Sequence, residues 1–118
     1  TCCANDAGFE SIFARGVEAY GRPGDVFVGL STSGNSPNVV AAMERANELG
    51  LFTIAFGGKN NGGRMGELAN LSLVIGGFST SDRIQEAHMA AIHIIIEMIE
   101  ELLFGDAALQ ELLVAETT

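Results

Sequence analysis

The sequence predicts an α/β domain: a doubly wound parallel sheet flanked by helices. Three observations carry that reading. Short apolar runs at 25–30, 51–56 and 71–75 alternate with longer runs whose apolar residues recur at helical spacing. The connections are short and marked by Gly, Pro, Ser and Asn. The run Asp25 to Leu30 is nearly continuous in apolar character, as in a parallel strand buried on both faces.

Taken in order, Thr1 to Ala4 reads as the tail of a strand, and Asn5-Asp6-Ala7-Gly8 as the loop at its carboxyl end. Open α/β sheets place ligands at such ends. Phe9 to Tyr20 is a helix on the spacing of Ile12, Phe13, Val17 and Tyr20, stopped by the turn Gly21-Arg22-Pro23-Gly24. After the strand 25–30, a helix is expected over Asn38 to Leu49. Val39, Val40, Met43, Ala46 and Leu49 form its buried stripe, and Gly50 is its stop. Leu51 to Phe56 is a strand, and Gly57 to Gly63, with four glycines and two asparagines, a mobile loop. A short helix, Arg64 to Ala69, precedes a strand at Leu71 to Ile75. Ser81 caps a long helix to about Phe104. Its middle, Ala90 to Ile96, is apolar nearly all round, which predicts burial in a domain core or an oligomer centre. Residues 106–118 form a C-terminal tail, with one more short helix expected over 106–114.

The stretch Leu30-Ser31-Thr32-Ser33-Gly34-Asn35-Ser36-Pro37-Asn38 holds four hydroxyls within six residues. It joins a strand to a helix, with Pro37 suited to the first helical position and Ser36 to the N-cap. Free N–H groups and hydroxyl donors around one point make a receptor for a phosphate or another small anion. Taken alone, the same residues equally suit a plain strand-to-helix turn. No Gly-Lys-Ser/Thr ending and no G-x-G-x-x-G accompanies it.

The bulk numbers bound the partners. The 118 residues suit one domain, and a 47% hydrophobic fraction suits a compact α/β core with extra buried surface at subunit contacts. A net charge of −9 makes nucleic acid and anionic membrane poor partners, though loop amides can still hold a phosphate. No run approaches a membrane span. Cys2 and Cys3 are adjacent, point to opposite sides of a strand, and have no metal spacing, so reduced thiols in the cytoplasm are expected. The chain opens directly in strand sequence, as an N-terminally truncated domain would.

On the long helix, Asp82, Gln85, Glu86, Met89, His93 and Glu100 fall near one line. Asp82 and Glu86 suit the positive end of the helix dipole. His93 interrupts an apolar run; it serves either as a core histidine with one hydrogen bond or as an acid/base or metal ligand. His88 faces elsewhere and reads as a surface or interface residue.

With the strand-STSGNSPN-helix unit and the helix Asp82-Arg83-Ile84-Gln85-Glu86…His88…His93 in view, the chain resembles the phosphoheptose isomerases of the sugar isomerase (SIS) domain superfamily. The resemblance runs from Cys3-Ala4-Asn5-Asp6 through Gly21-Arg22-Pro23-Gly24-Asp25 to the end of the long helix, which makes 1–105 a partial, flavodoxin-like SIS domain. It implies that Asn5 and Asp6 contact substrate and that Ser31, Thr32, Ser33 and Ser36 cradle its phosphate. Gln85 then touches both substrate and zinc, His93 is a zinc ligand that also moves protons, and Asp82 is a further substrate-site acid. It implies a homotetramer with sites at subunit interfaces. The implied reaction converts sedoheptulose 7-phosphate to D-glycero-D-manno-heptose 7-phosphate, for the heptose of surface polysaccharide such as lipopolysaccharide core. The family's other zinc ligands, a His and a Glu one turn apart, lie on an upstream helix outside these 118 residues. That Glu is also the expected carbon base, so these residues alone are expected to be inactive. Gln85 and His93 are eight residues apart, about 12 Å along an ideal helix axis, so both reach one metal only by converging strongly.

Two other readings compete. One is a non-enzymatic SIS module resembling the DnaA initiator-associating protein, which differs at the position of His93 and carries Arg in the loop where this chain has Ser33. The other is a SIS sensor that binds a sugar phosphate without turnover.

Overall fold

The structure, a computed structural model, describes residues 8–117. Cys2, Cys3, the strand expected over 1–4 and the Asn5-Asp6 loop lie outside the described residues. A 3₁₀ turn, Phe9–Ser11, opens helix α1 (Ile12–Tyr20). Then follow β1 (Val26–Leu30), α2 (Pro37–Glu48), β2 (Phe52–Gly57), α3 (Gly63–Leu68), β3 (Leu71–Val74), α4 (Ser81–Phe104) and α5 (Asp106–Thr117). The strands form one parallel sheet in the order β1-β2-β3, with Val26 beside Phe52 and Ile54 beside Leu71. Every element expected within the described residues is present. Helix α5 runs further than the sequence suggested, to Thr117.

The chain divides into two compact units, 1–85 and 86–118. In the first, Met43, Ala55 and Met65 make one buried cluster with Phe27, Val39, Val40 and Leu68 packed on it. Val17, Ala42, Ala46 and Leu51 make a second under α1. The expected α2 stripe is present, with Met43 and Ala46 fully buried, Ala42 added, and Val39, Val40 and Leu49 half-buried around them. Gly29 lets α2 and α3 approach β1: a Cβ there would lie 3.1 Å from both Met65 Sδ and Val39 Cγ1.

A polar knot fixes the far end of this core. The wholly buried Thr53 hydroxyl lies 2.9 Å from Asn47 Oδ1 and 3.1 Å from Asn70 Oδ1, and accepts the Asn70 amide at 3.0 Å. Asn47 Nδ2 donates to the Leu68 carbonyl at 2.9 Å. The end of α2, the start of β2 and the α3–β3 turn are thereby tied together.

Three expectations need correction. Strand β1 is not buried on both faces: Phe27 and Gly29 point toward α2, while Val26, Val28 and Leu30 are exposed. Alternate residues of a strand face opposite ways, and within the first unit helices cover β1 on one face and β2 pairs with it on one edge. Those three residues line an open apolar groove of about 560 Å³ with Phe13 and Tyr20 of α1. The middle of α4 is not in a domain core of this chain either. Ile94, Ile95, Ile96, Met98 and Ile99 are 41–58% exposed, because a helix apolar all round outruns the surface one unit of two helices can cover. His88, read as a surface or interface residue, is 2% exposed within the chain itself, whereas His93 is exposed. Apolar neighbours along the chain suit His93 as a core histidine, one of its two readings, but neighbours in sequence do not decide what covers a side chain.

Candidate functional site: a hydroxyl loop at the carboxyl ends of the strands

The loop after β1 takes its shape from its own hydroxyls. Ser31 is 7% exposed, and its Oγ is the hub: Ser36 Oγ lies at 2.7 Å, Ser33 Oγ at 3.4 Å, and the Gly34 amide donates to it at 3.1 Å. Ser33 Oγ accepts the Asn35 amide at 3.2 Å. Ser36 occupies the N-cap of α2 and Pro37 its first turn, as the sequence predicts. Yet the Ser36 side chain caps no helix amide; its hydroxyl turns back to Ser31 instead. The hydroxyls of Ser31, Ser33 and Ser36 therefore converge at the positive end of a 12-residue helix.

The segment 57–65, of which 57–63 is expected to be mobile, is tied to this loop carbonyl by carbonyl. The Lys59 amide donates to Thr32 O at 2.7 Å, Asn60 Nδ2 to Ser33 O at 3.0 Å, and the Met65 amide to Gly34 O at 2.9 Å. The Arg64 amide reaches Asn35 Oδ1 at 2.8 Å. Asn60 and Asn61 take left-handed backbone conformations (φ 55° and 52°), which Asn tolerates better than most residues. Glycine and asparagine here serve a tight docking, not freedom. Gly34, at φ 72°, is required by it: a Cβ would collide with the Gly62 carbonyl.

The third strand's return brings in the start of α4. Thr32 Oγ1 lies 3.1 Å from Ser81 Oγ, and Lys59 Nζ donates to the same Ser81 Oγ at 3.2 Å. Asp82 and Gln85 follow on the first turns, both exposed. The Thr80 hydroxyl and then the Arg83 amide hold the Asp82 carboxyl below its ordinary value, so it is ionised at neutral pH. Loops following β1, β2 and β3 thus meet where ligands bind in open parallel sheets.

Of the residues singled out from sequence, the structure brings Ser31, Ser33 and Ser36 together and joins Thr32 to the start of α4, with Asp82 and Gln85 on the turns that follow. His93 belongs to the second unit. Asn5 and Asp6 lie outside the described residues. Sequence reasoning missed Lys59, Asn35 and Asn60. The one available signal was that Lys59 is the only lysine of the chain, in a Gly/Asn loop after a parallel strand. Among the described residues no group of three or more His, Cys, Asp and Glu side chains could hold a metal ion. Zinc takes four ligands, so the described residues do not fit a zinc site by themselves.

The family model described as a SIS domain matches residues 1–58, which include the first strand and the hydroxyl loop after it. Over that stretch the chain is similar to SIS domains. Within that class it is similar to phosphoheptose isomerases. The one from Fusobacterium nucleatum is 51% identical over 111 residues, covering 94% of this chain and 56% of that protein. The one from Vibrio vulnificus is 50% identical over 101 residues, 86% of this chain and 52% of that protein. The solved phosphoheptose isomerase of Neisseria gonorrhoeae superposes with a TM-score of 0.76 at 38% identity, over 83% of this chain and 55% of that one. That of Francisella tularensis gives 0.79 at 31% identity, over 85% and 53%. The chain spans about half the length of the relatives it matches.

Proposed function

We propose that the protein is a phosphoheptose isomerase, converting sedoheptulose 7-phosphate to D-glycero-D-manno-heptose 7-phosphate. The observation that carries this is the hydroxyl loop. Ser31, Ser33 and Ser36 gather at the start of α2 in a chain 51% identical to a phosphoheptose isomerase. A phosphoryl group gripped there fixes one end of a sugar, and so holds the reacting carbons in place. Aldose–ketose isomerisation then needs a base at carbon, an acid/base at oxygen, and charge stabilisation of the enediolate. On the resemblance, Thr32 joins the three serines in cradling the phosphate, His93 is the acid/base, and Asp82, Gln85, Asn5 and Asp6 contact the sugar.

Zinc is inferred on the resemblance alone, with Gln85 and His93 as two of its ligands. When bound it would polarise the carbonyl. A homotetramer is inferred in the same way, and the exposed apolar length of α4 supports it. We place the protein in the cytoplasm, in heptose synthesis for surface polysaccharide. No helix among the described residues is long and apolar enough to cross a membrane. The initiator-associating reading is not favoured, since the relatives at about 50% identity are named isomerases.

The test is conversion of sedoheptulose 7-phosphate by the full-length protein, with and without a chelator, since these 118 residues alone are expected to be inactive. Turnover lost on chelation and restored by zinc supports the reading. Binding of the sugar phosphate without any turnover identifies the sensor instead. His93→Ala should abolish turnover and leave sugar-phosphate affinity within a few-fold, because the grip and the proton transfer lie on different residues.

A further inference from the structure

The segment 57–65 brings more than shape to the hydroxyl loop. Lys59 is the chain's only lysine, and it is half-buried. Its amide is fixed to the Thr32 carbonyl at 2.7 Å. Its ammonium is fixed to Ser81 Oγ at 3.2 Å, and that oxygen lies 3.1 Å from Thr32 Oγ1. Backbone and side chain of Lys59 therefore both hold to Thr32, one directly and one through Ser81. Arg15, Arg45 and Arg64 are each paired with a glutamate. Lys59 differs: among the described residues no carboxylate comes within 4.0 Å of its ammonium, whose bonded partner is a neutral hydroxyl. An ammonium has three donors, and a partly desolvated one is stabilised by an anion. The chain as a whole, at a net charge of −9, opposes the approach of a phosphate, so a fixed cation beside the loop counts for more.

We infer that Lys59 is a specificity-determining residue of the hydroxyl loop. Its ammonium, held beside Thr32 by Ser81, supplies the positive charge that selects a phosphorylated sugar over a neutral one. This rests on the isomerase reading above and adds to it a residue from a different loop. Hydroxyls and amides alone give geometry; the lysine gives the site its preference for a dianion.

The experiment compares the full-length protein with its Lys59→Gln, Lys59→Met and Lys59→Arg variants. Glutamine keeps a donor for Ser81 and removes the charge; methionine removes both. The readouts are KM and kcat for sedoheptulose 7-phosphate, inhibition by inorganic phosphate, and binding of unphosphorylated sedoheptulose. In Lys59→Gln we expect KM and the phosphate inhibition constant to rise about tenfold, the scale of one charge-assisted contact, with kcat within about threefold. Affinity for the neutral sugar should not change, and Lys59→Arg should recover most of the loss. Salt should weaken phosphate binding less in Lys59→Gln than in the parent. Unchanged phosphate inhibition in Lys59→Gln overturns the inference. So does an equal loss of neutral-sugar affinity, which would mark a structural role, or a fall in kcat alone. If Lys59→Met does not fold, Lys59→Gln decides. A parent that neither binds phosphate nor turns over would instead overturn the isomerase reading.

Discussion

At the scale of single residues, the site depends on small groups in strained or crowded places. Ser31 is a hub because its hydroxyl meets two other hydroxyls and an amide. Replacing its neighbour, Ser33→Arg, should weaken inorganic phosphate binding about tenfold or more by crowding the loop, at the overpacking cost of about 1–3 kcal/mol. Calorimetric titration reads this, and unchanged affinity would remove the loop from the site. Gly34→Ala should lower stability by at least about 1–3 kcal/mol, since left-handed backbone and the Gly62 carbonyl both oppose a methyl group. The shift in urea midpoint measures it. Asp82 makes a pH prediction. Its folded value lies below 3.8, so the stability it adds is present above that value and lost as pH falls through the folded one. The stability gap between parent and Asp82→Asn should thus close on acidification below 3.8, and the shape of the activity profile near neutrality should not change.

Secondary elements are held to one another by polar contacts as much as by apolar ones. The Thr53 hydroxyl ties α2 to the α3–β3 turn through Asn47 and Asn70. Thr53→Val keeps the shape but takes the hydroxyl away from the exposed Asn47 and Asn70, so it should cost about 0.5–1.5 kcal/mol. Thermal unfolding checks this, and a loss much smaller would mean that water replaces the hydroxyl. The same logic explains the docking of 57–65 on the hydroxyl loop. Each carbonyl from Thr32 to Gly34 takes a donor from that segment, so the loop cannot shift without breaking several hydrogen bonds together.

For the whole molecule, the issue is unfilled apolar surface. The second unit exposes Ile94, Ile95, Ile96, Met98, Ile99 and Leu102, far more than scattered surface hydrophobics. If α4 is covered by further copies of the chain, Ile95→Asp should lower the assembled mass in sedimentation, while a merely soluble monomer would keep its mass. Reduced turnover in the same variant would follow if sites form at subunit contacts.

The sequence by itself determined the order of the elements and most of their bounds, the end of α5 excepted, because periodicity, proline and glycine act locally. The hydroxyl loop and the α4 motif were legible for the same reason: each is a continuous string, Ser31 to Ser36 and Asp82 to Gln85. Only tertiary structure decided which loops meet. That Lys59 and Ser81 stand beside Thr32, 27 and 49 positions away, follows from parallel strands delivering their carboxyl ends to one edge of the sheet. Burial was decided there too. Local composition left His93 open as a core histidine and marked β1 as wrapped on both faces, but exposure depends on which surfaces neighbouring elements cover.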